Sequence, residues 1–344
     1  MPQELPIPDH FDAHRVGDFW RIPYQQRATA AQEWAAQQHI SSATEDSTQV
    51  GLLLVDVQNT FCLPDFELFV AGRSGKGAIE DNIRLCEFIY RNLNSITEIM
   101  ATMDTHTAMQ IFHPVFWINQ AGEHPEPMTQ ISVEEVEQGA WKINPDVVSH
   151  IAGKDLQWLQ QYALHYAKSL NFDSKYPLTI WPYHAMIGGI SHALVAAVEE
   201  ACYFHNFARQ RQTHFEIKGQ NPLTENYSAL RPEVQTDQNG NAIASPNRRF
   251  LEKLLSFDAL IVAGQAKSHC VAWTLNDLLK EIQGRDSKLA QKIYLLEDCT
   301  SPVVISRGPD FTEQADAAFQ RFSDAGMHRV HSGESIANWL GVPA

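Results

Sequence analysis

The chain reads as an α/β protein built on a parallel sheet with helices on both faces. Three observations predict this: short strands that are apolar without alternation, helix-period segments between them, and reactive side chains at the strand ends. Strands buried on both faces lose the in-and-out pattern of a half-exposed sheet. In such sheets ligands collect at the carboxyl ends of the strands.

Taken in order, residues 1 to 48 are polar and rich in Pro and Gln, with a weak helical pattern over 25–38. They read as an extension packed on the domain or joining a neighbouring subunit. The first strand is GLLLVDV (51–57), followed by a helix over 79–94 and a second strand, ITEIMATMD (96–104). A helical segment over 191–209 precedes HFEIK (214–218); DALIVAG (258–264) precedes a helix over 270–282; KIYLLED (292–298) precedes one over 311–325. Residues 49–344 thus form one domain, interrupted by insertions at 115–178, with a helix over 156–170, and at 231–247, where DQNGN predicts a hairpin turn.

The composition is that of a soluble globular chain, and the formal charge of −15, from 26 basic and 41 acidic residues, comes without any Lys/Arg run. Nucleic acid and anionic membrane are excluded as expected partners. No apolar stretch is long enough to span a bilayer and the N-terminus lacks a signal-peptide pattern, so a cytoplasmic protein is expected. Five scattered cysteines without a CxxC pair argue for reduced thiols rather than a disulfide frame or structural zinc.

Asp56, Asp104, Lys218 and Cys270 all fall at or just past a strand end, so four reactive groups converge on one edge of the sheet. Cys270 at the start of a helix sits where unpaired N–H groups favour a thiolate, although a free cysteine is equally at home as a buried apolar residue. His269 beside it is the obvious base, but adjacent residues of a helix do not face each other. Asp56 is either catalytic or the cap of a turn, and Lys218 is either a site residue or a surface lysine. Asp104 and His106 at i, i+2, with His113 and His184, offer a carboxylate and imidazoles of the kind that bind zinc, iron or manganese. His124, His150, His165, His192, His205 and His214 are assigned no role.

In order, VDVQNTFC (55–62), MDTH (103–106), WPYHAMIGG (181–189), IKG with NYSAL (217–230) and GQAKSHCV (264–271) resemble the isochorismatase-like cysteine hydrolases, most closely the nicotinamidases. The resemblance implies a six-stranded, mostly parallel sheet in a three-layer αβα sandwich. It also implies a catalytic triad of Asp56, Lys218 and Cys270. The N–H groups of Ala266 and Cys270 would form an oxyanion hole, with a cis peptide before Ala266. A divalent transition metal would sit on Asp104, His106 and His184, with His113 as a possible further ligand. Phe61 would pack against the substrate ring, with a place in the core as the alternative.

The expected reaction is hydrolysis of nicotinamide to nicotinate and ammonia through a thioester. Alternatives are another small amide or carbamoyl substrate, or a non-catalytic binding member of the family. Isochorismate cleavage is disfavoured because relatives with that activity lack the cysteine. Such proteins are commonly assemblies, so a homo-oligomer is expected. Three departures stand out: Ala185 where many relatives have cysteine, a long segment between His113 and His184 that would border the substrate entrance, and the first 48 residues, which have no counterpart.

Overall fold

The computed structural model describes residues 4–172, 175–305 and 308–339. Contacts divide the chain into two compact units, one made of Met1–Met103, Ala193–Glu216 and Arg248–Ala344, the other of Asp104–His192 and Ile217–Asn247.

Six strands form the main sheet: β1 (Val50–Val55), β2 (Glu98–Asp104), β3 (His214–Lys218), β4 (Ala259–Gly264), β5 (Ile293–Leu296) and β6 (His328–Val330), in the order β6-β5-β4-β1-β2-β3. β1 runs parallel to β2 and β4, β4 to β5, and β5 to β6. Every residue of β1, β2, β4 and β5 is buried, which is why these strands carry no polar alternation. β3 alternates, with Phe215 and Ile217 half-exposed, as suits an edge strand.

The helices of eight residues or more among the described residues are α1 (Tyr24–Gln37), α2 (Gly77–Arg91), α3 (Leu156–Phe172), α4 (Ala196–Ala208), α5 (Arg248–Leu255), α6 (Ala272–Arg285) and α7 (Thr312–Asp324). α2 buries Ala78, Leu85, Cys86, Phe88 and Ile89, and α4 packs on it. α1 buries only Ala28, Ala31 and Ala35, a small-residue stripe that packs closely on α4. Its pattern is faint because alanine contributes little to hydrophobic periodicity. Arg209, fully buried, donates to Ser41 O at 2.6 Å and to the Asp46 carboxylate, tying the extension to the end of α4.

In the second unit, α3 is built onto the segment after β3, for Tyr162 donates to Leu223 O at 2.8 Å and Tyr166 accepts from Glu225 N at 3.2 Å. Asp237 N donates to Asn241 O at 2.8 Å across the turn in DQNGN.

Two expectations need correction, and two elements were not foreseen. No peptide among the described residues is cis; Ala266 instead takes φ +62° and ψ +63°. A left-handed residue costs about 1–2 kcal/mol, less than the 3–4 kcal/mol or so of a non-proline cis bond. The helical path begins not at Cys270 but with a wide turn over Lys267–Val271, closed by Val271 N donating to Ala266 O at 3.3 Å, before α6. β6 and α5 carry no clear signal in the sequence: one is three residues long and the other has its apolar residues among charges.

Gly264 decides how closely β1 and β4 meet. It pairs with Val55, has φ +123°, and a Cβ there would lie 2.2 Å from Val55 O. Gly264→Ala is therefore expected to destabilise the protein by about 3 kcal/mol or more, read as a lower denaturant midpoint at unchanged slope.

Candidate functional site

Within the first unit, Asp56 and Cys270 follow the ends of neighbouring strands. Asp56 comes directly after β1 and is fully buried with φ +48°, held by Thr102 of β2, whose Oγ1 donates to Asp56 Oδ1 at 2.5 Å and accepts from Asp56 N at 3.0 Å. A short polar side chain tolerates this left-handed backbone better than a branched one. Cys270 is buried in the wide turn after β4.

That turn is pinned on several sides. Gln265 N donates to Val55 O at 2.8 Å, Lys267 N to Ser301 O at 2.8 Å, and Lys267 Nζ lies 3.2 Å from Glu297 and 3.0 Å from Asp316. His269 bonds locally: Nδ1 lies 2.9 Å from Ser268 Oγ and its ring meets Phe311 edge-on. Burial pushes its imidazole down to about 3, so it is neutral at ordinary pH. Phe61 lies in the core cluster of this unit.

Within the second unit, Asp104, His106 and His184 come together as a buried group whose ligand atoms all lie within 4.8 Å of one another. The strand-like segment after Asp104 explains the meeting: His106 N donates to Ala185 O and Ile187 N to His106 O, both at 3.0 Å. Asp104 Oδ2 is 2.8 Å from His106 Nε2 and 3.5 Å from His184 Nε2. Its other oxygen accepts from Lys218 Nζ at 2.9 Å, and Lys218 also donates to Asn226 O at 2.8 Å. Burial acts to raise the Asp104 carboxyl, but the His106 imidazole and the Lys218 ammonium outweigh it and hold it well below the usual carboxylate range.

The donor set fits a divalent transition metal. Nδ1 of His106 faces Gly219 O at 3.2 Å and Nδ1 of His184 faces Pro182 O at 2.8 Å, so a neutral ring whose Nδ1–H donates to its carbonyl offers Nε2 to a metal. Carbonyl anchoring of the remote nitrogen is the usual outer arrangement of a metal-bound histidine. His113 repeats it, with Nδ1 3.1 Å from Ala108 O and Nε2 buried without a hydrogen-bond partner. Its ring stands 5.8 Å from that of His106 and 6.1 Å from that of His184, and burial, then the two neighbouring imidazoles, push it down to about 3.

Three supporting residues escaped the sequence reading. Gly219 has φ +84°, and a Cβ there would lie 2.8 Å from His106 Cε1 and 2.9 Å from Asp104 Oδ1. Gln110 fixes the same carbonyl, donating to Gly219 O at 2.6 Å. Glu225 is buried, and desolvation, then the charge of Asp104, raise its carboxyl to about 8. The only signal for any of them was the glycine directly after Lys218.

Fold and site define a class: an α/β protein with a six-stranded sheet, the fold of the yeast nicotinamidase structure, and a buried Asp/His/His group able to hold a metal ion. No protein-family model and no curated protein matches the chain. Among solved structures it is similar to yeast nicotinamidase, at 19% identity and TM-score 0.50 over 82% of this chain and 99% of that one. The yeast enzyme bound to the inhibitor nicotinaldehyde matches at 18% and 0.50, over 82% and 100%. An Acinetobacter baumanii nicotinamidase/pyrazinamidase matches at 18% and 0.47, over 84% and 98%. No helix among the described residues is long and apolar enough to cross a membrane.

Proposed function

We propose that this protein is a cysteine-dependent amidohydrolase acting on nicotinamide, with Asp56, Lys218 and Cys270 as its triad. One observation carries the reading: Lys218 is bonded to the same carboxylate that gathers His106 and His184, so a strand-end cation and a metal-ligand group form one unit. The shared fold of the yeast nicotinamidase supports it.

In this reading Asp56 takes the Cys270 proton, Lys218 stabilises the anions, and the thiolate attacks the carboxamide carbon. The N–H groups of Ala266 and Cys270 hold the developing oxyanion, each worth about 3 kcal/mol of barrier. Asp56 returns its proton to the departing ammonia, leaving a thioester. It then takes a proton from water as hydroxide adds, and collapse releases the acid and restores the thiol. Asp104, His106 and His184, with His113 as the further candidate, would hold the metal, whose chemistry when bound is that of a Lewis acid for a ring nitrogen. His113, neutral and anchored, needs no deprotonation to serve.

A related small amide or carbamoyl compound is the second reading. It is favoured by α3, whose tyrosines buttress Leu223 and Glu225 just beyond Lys218 and would reshape the substrate pocket.

The test is ammonia release from nicotinamide and a panel of small amides, with and without chelator. Nicotinamide turnover that falls at least about tenfold on chelation and returns with zinc, iron or manganese is expected. Turnover of other amides alone selects the second reading, and no turnover of any amide leaves a binding protein.

A further inference from the structure

The proposed oxyanion residue Ala266 is gripped through its neighbours by one acid that no part of the mechanism uses. Asp81 of α2 is buried, with 2% of its surface exposed. Its Oδ2 accepts from Gln265 Nε2 at 3.2 Å, and its Oδ1 accepts from Arg84 Nη2 at 2.8 Å. Its carboxylate is also hydrogen-bonded by the Ser301 hydroxyl. Ser301 in turn offers its carbonyl to Lys267 N at 2.8 Å. Asp81 therefore reaches the residue before Ala266 directly and the residue after it through Ser301.

The same contacts lead to the catalytic strand. Gln265 N is bonded to Val55 O, the carbonyl immediately before Asp56. The Gln265 side chain spends its amide donor on Asp81, while its Oε1 is buried with no partner. An arrangement that leaves an acceptor buried and unpaired is costly to stability, which points to a positional demand on the turn. Burial pushes the Asp81 carboxyl up to about 6 in spite of three donors, so the acid too is kept against its own solvation.

We propose that Asp81 is a positioning residue: through Gln265 and Ser301 it sets the orientation of the Ala266 peptide, and with it the alignment of Cys270 and Asp56. The proposal rests on the amidohydrolase reading for its consequence in turnover, but not for the coupling itself. Asp81 touches no reacting atom, and its effect is on geometry, where small displacements of positioned groups are felt as losses in rate.

The test compares Asp81→Leu, Gln265→Leu and the double variant with wild type, reading kcat, KM and the rate of Cys270 alkylation by iodoacetamide followed by mass spectrometry. Each single variant is expected to lower kcat about tenfold with KM within about twofold, and to slow alkylation at least about threefold. The double variant is expected to be no worse than the poorer single, because both changes cut one connection. Asp81→Asn is expected to recover most of kcat, since the Gln265 amide can turn over so that its unused Oε1 accepts from the new amide N–H. Arg84→Leu serves as the control for a merely structural ion pair.

Additive losses in the double variant, unchanged kcat in Asp81→Leu, or an Arg84→Leu variant that reproduces Asp81→Leu while Gln265→Leu does not, would each overturn the proposal. Should Asp81→Leu fail to fold, Gln265→Leu and Asp81→Asn carry the comparison. A wild-type protein that turns over no amide sinks the enzymatic reading alone, because the alkylation rates still report whether Asp81 and Gln265 act as one.

Discussion

Cys270→Ala is expected to abolish amide hydrolysis, lowering kcat by about four orders of magnitude or more, with the protein still folded. Loss of a nucleophile removes the covalent path altogether, whereas binding and oxyanion donors leave only a small residual rate. Cys270 sits in a turn held by its neighbours: Lys267 by Glu297 and Asp316, Ser268 by Val303, Gln265 by Val55. Losing one sulfur atom from such a turn leaves these bonds in place. A melting temperature near that of wild type, together with vanished ammonia release, is the expected result. Hydrolysis that persists in the variant would remove Cys270 from the mechanism.

Asp104→Ala carries the second large effect, in both metal content and stability. This carboxylate is the shared partner of His106, His184 and Lys218. Its removal deprives a buried ammonium of its anion, and breaking a buried pair from one side costs about 3–5 kcal/mol. Metal bound after loading and dialysis should drop to background, and the denaturant midpoint should fall. Asp104→Asn keeps the shape and loses the charge, so it should lose the metal with a smaller loss of stability. Retention of stoichiometric metal by either variant would contradict the ligand assignment.

These two residues illustrate how much of the site was legible. Asp104 and Cys270 stand at strand ends because the strands are runs of apolar residues that stop at the first polar or strained position. GLLLVDV ends at Val55, where Asp56 turns to positive φ, and DALIVAG ends at Gly264. Spacing placed His106 beside Asp104, His113 and His184 were read as further candidate imidazoles, and the resemblance put His184 ahead of His113. No local pattern marks Glu225, Gln110 or Asp81, because their roles come from burial and from partners far away in the chain. Gln110 meets Gly219 across 109 positions and Asp81 meets Gln265 across 184. The faint pattern of α1 has a similar origin, since an alanine stripe gains its packing energy only from the helix it meets.

The sequence by itself determined the α/β class, the parallel strands and the residue types at their ends, because double burial dictates composition and strand ends dictate where polar groups can surface. Tertiary structure alone decided the rest. It set Ala266 in a left-handed conformation with a trans peptide, started the helical path at Lys267 rather than Cys270, and joined Lys218 to the carboxylate of the metal-ligand group. The physical reason is common to all three. Backbone strain and buried charge are unfavourable in isolation and persist only where distant groups, here Ser301, Val55 and Asp104, compensate them.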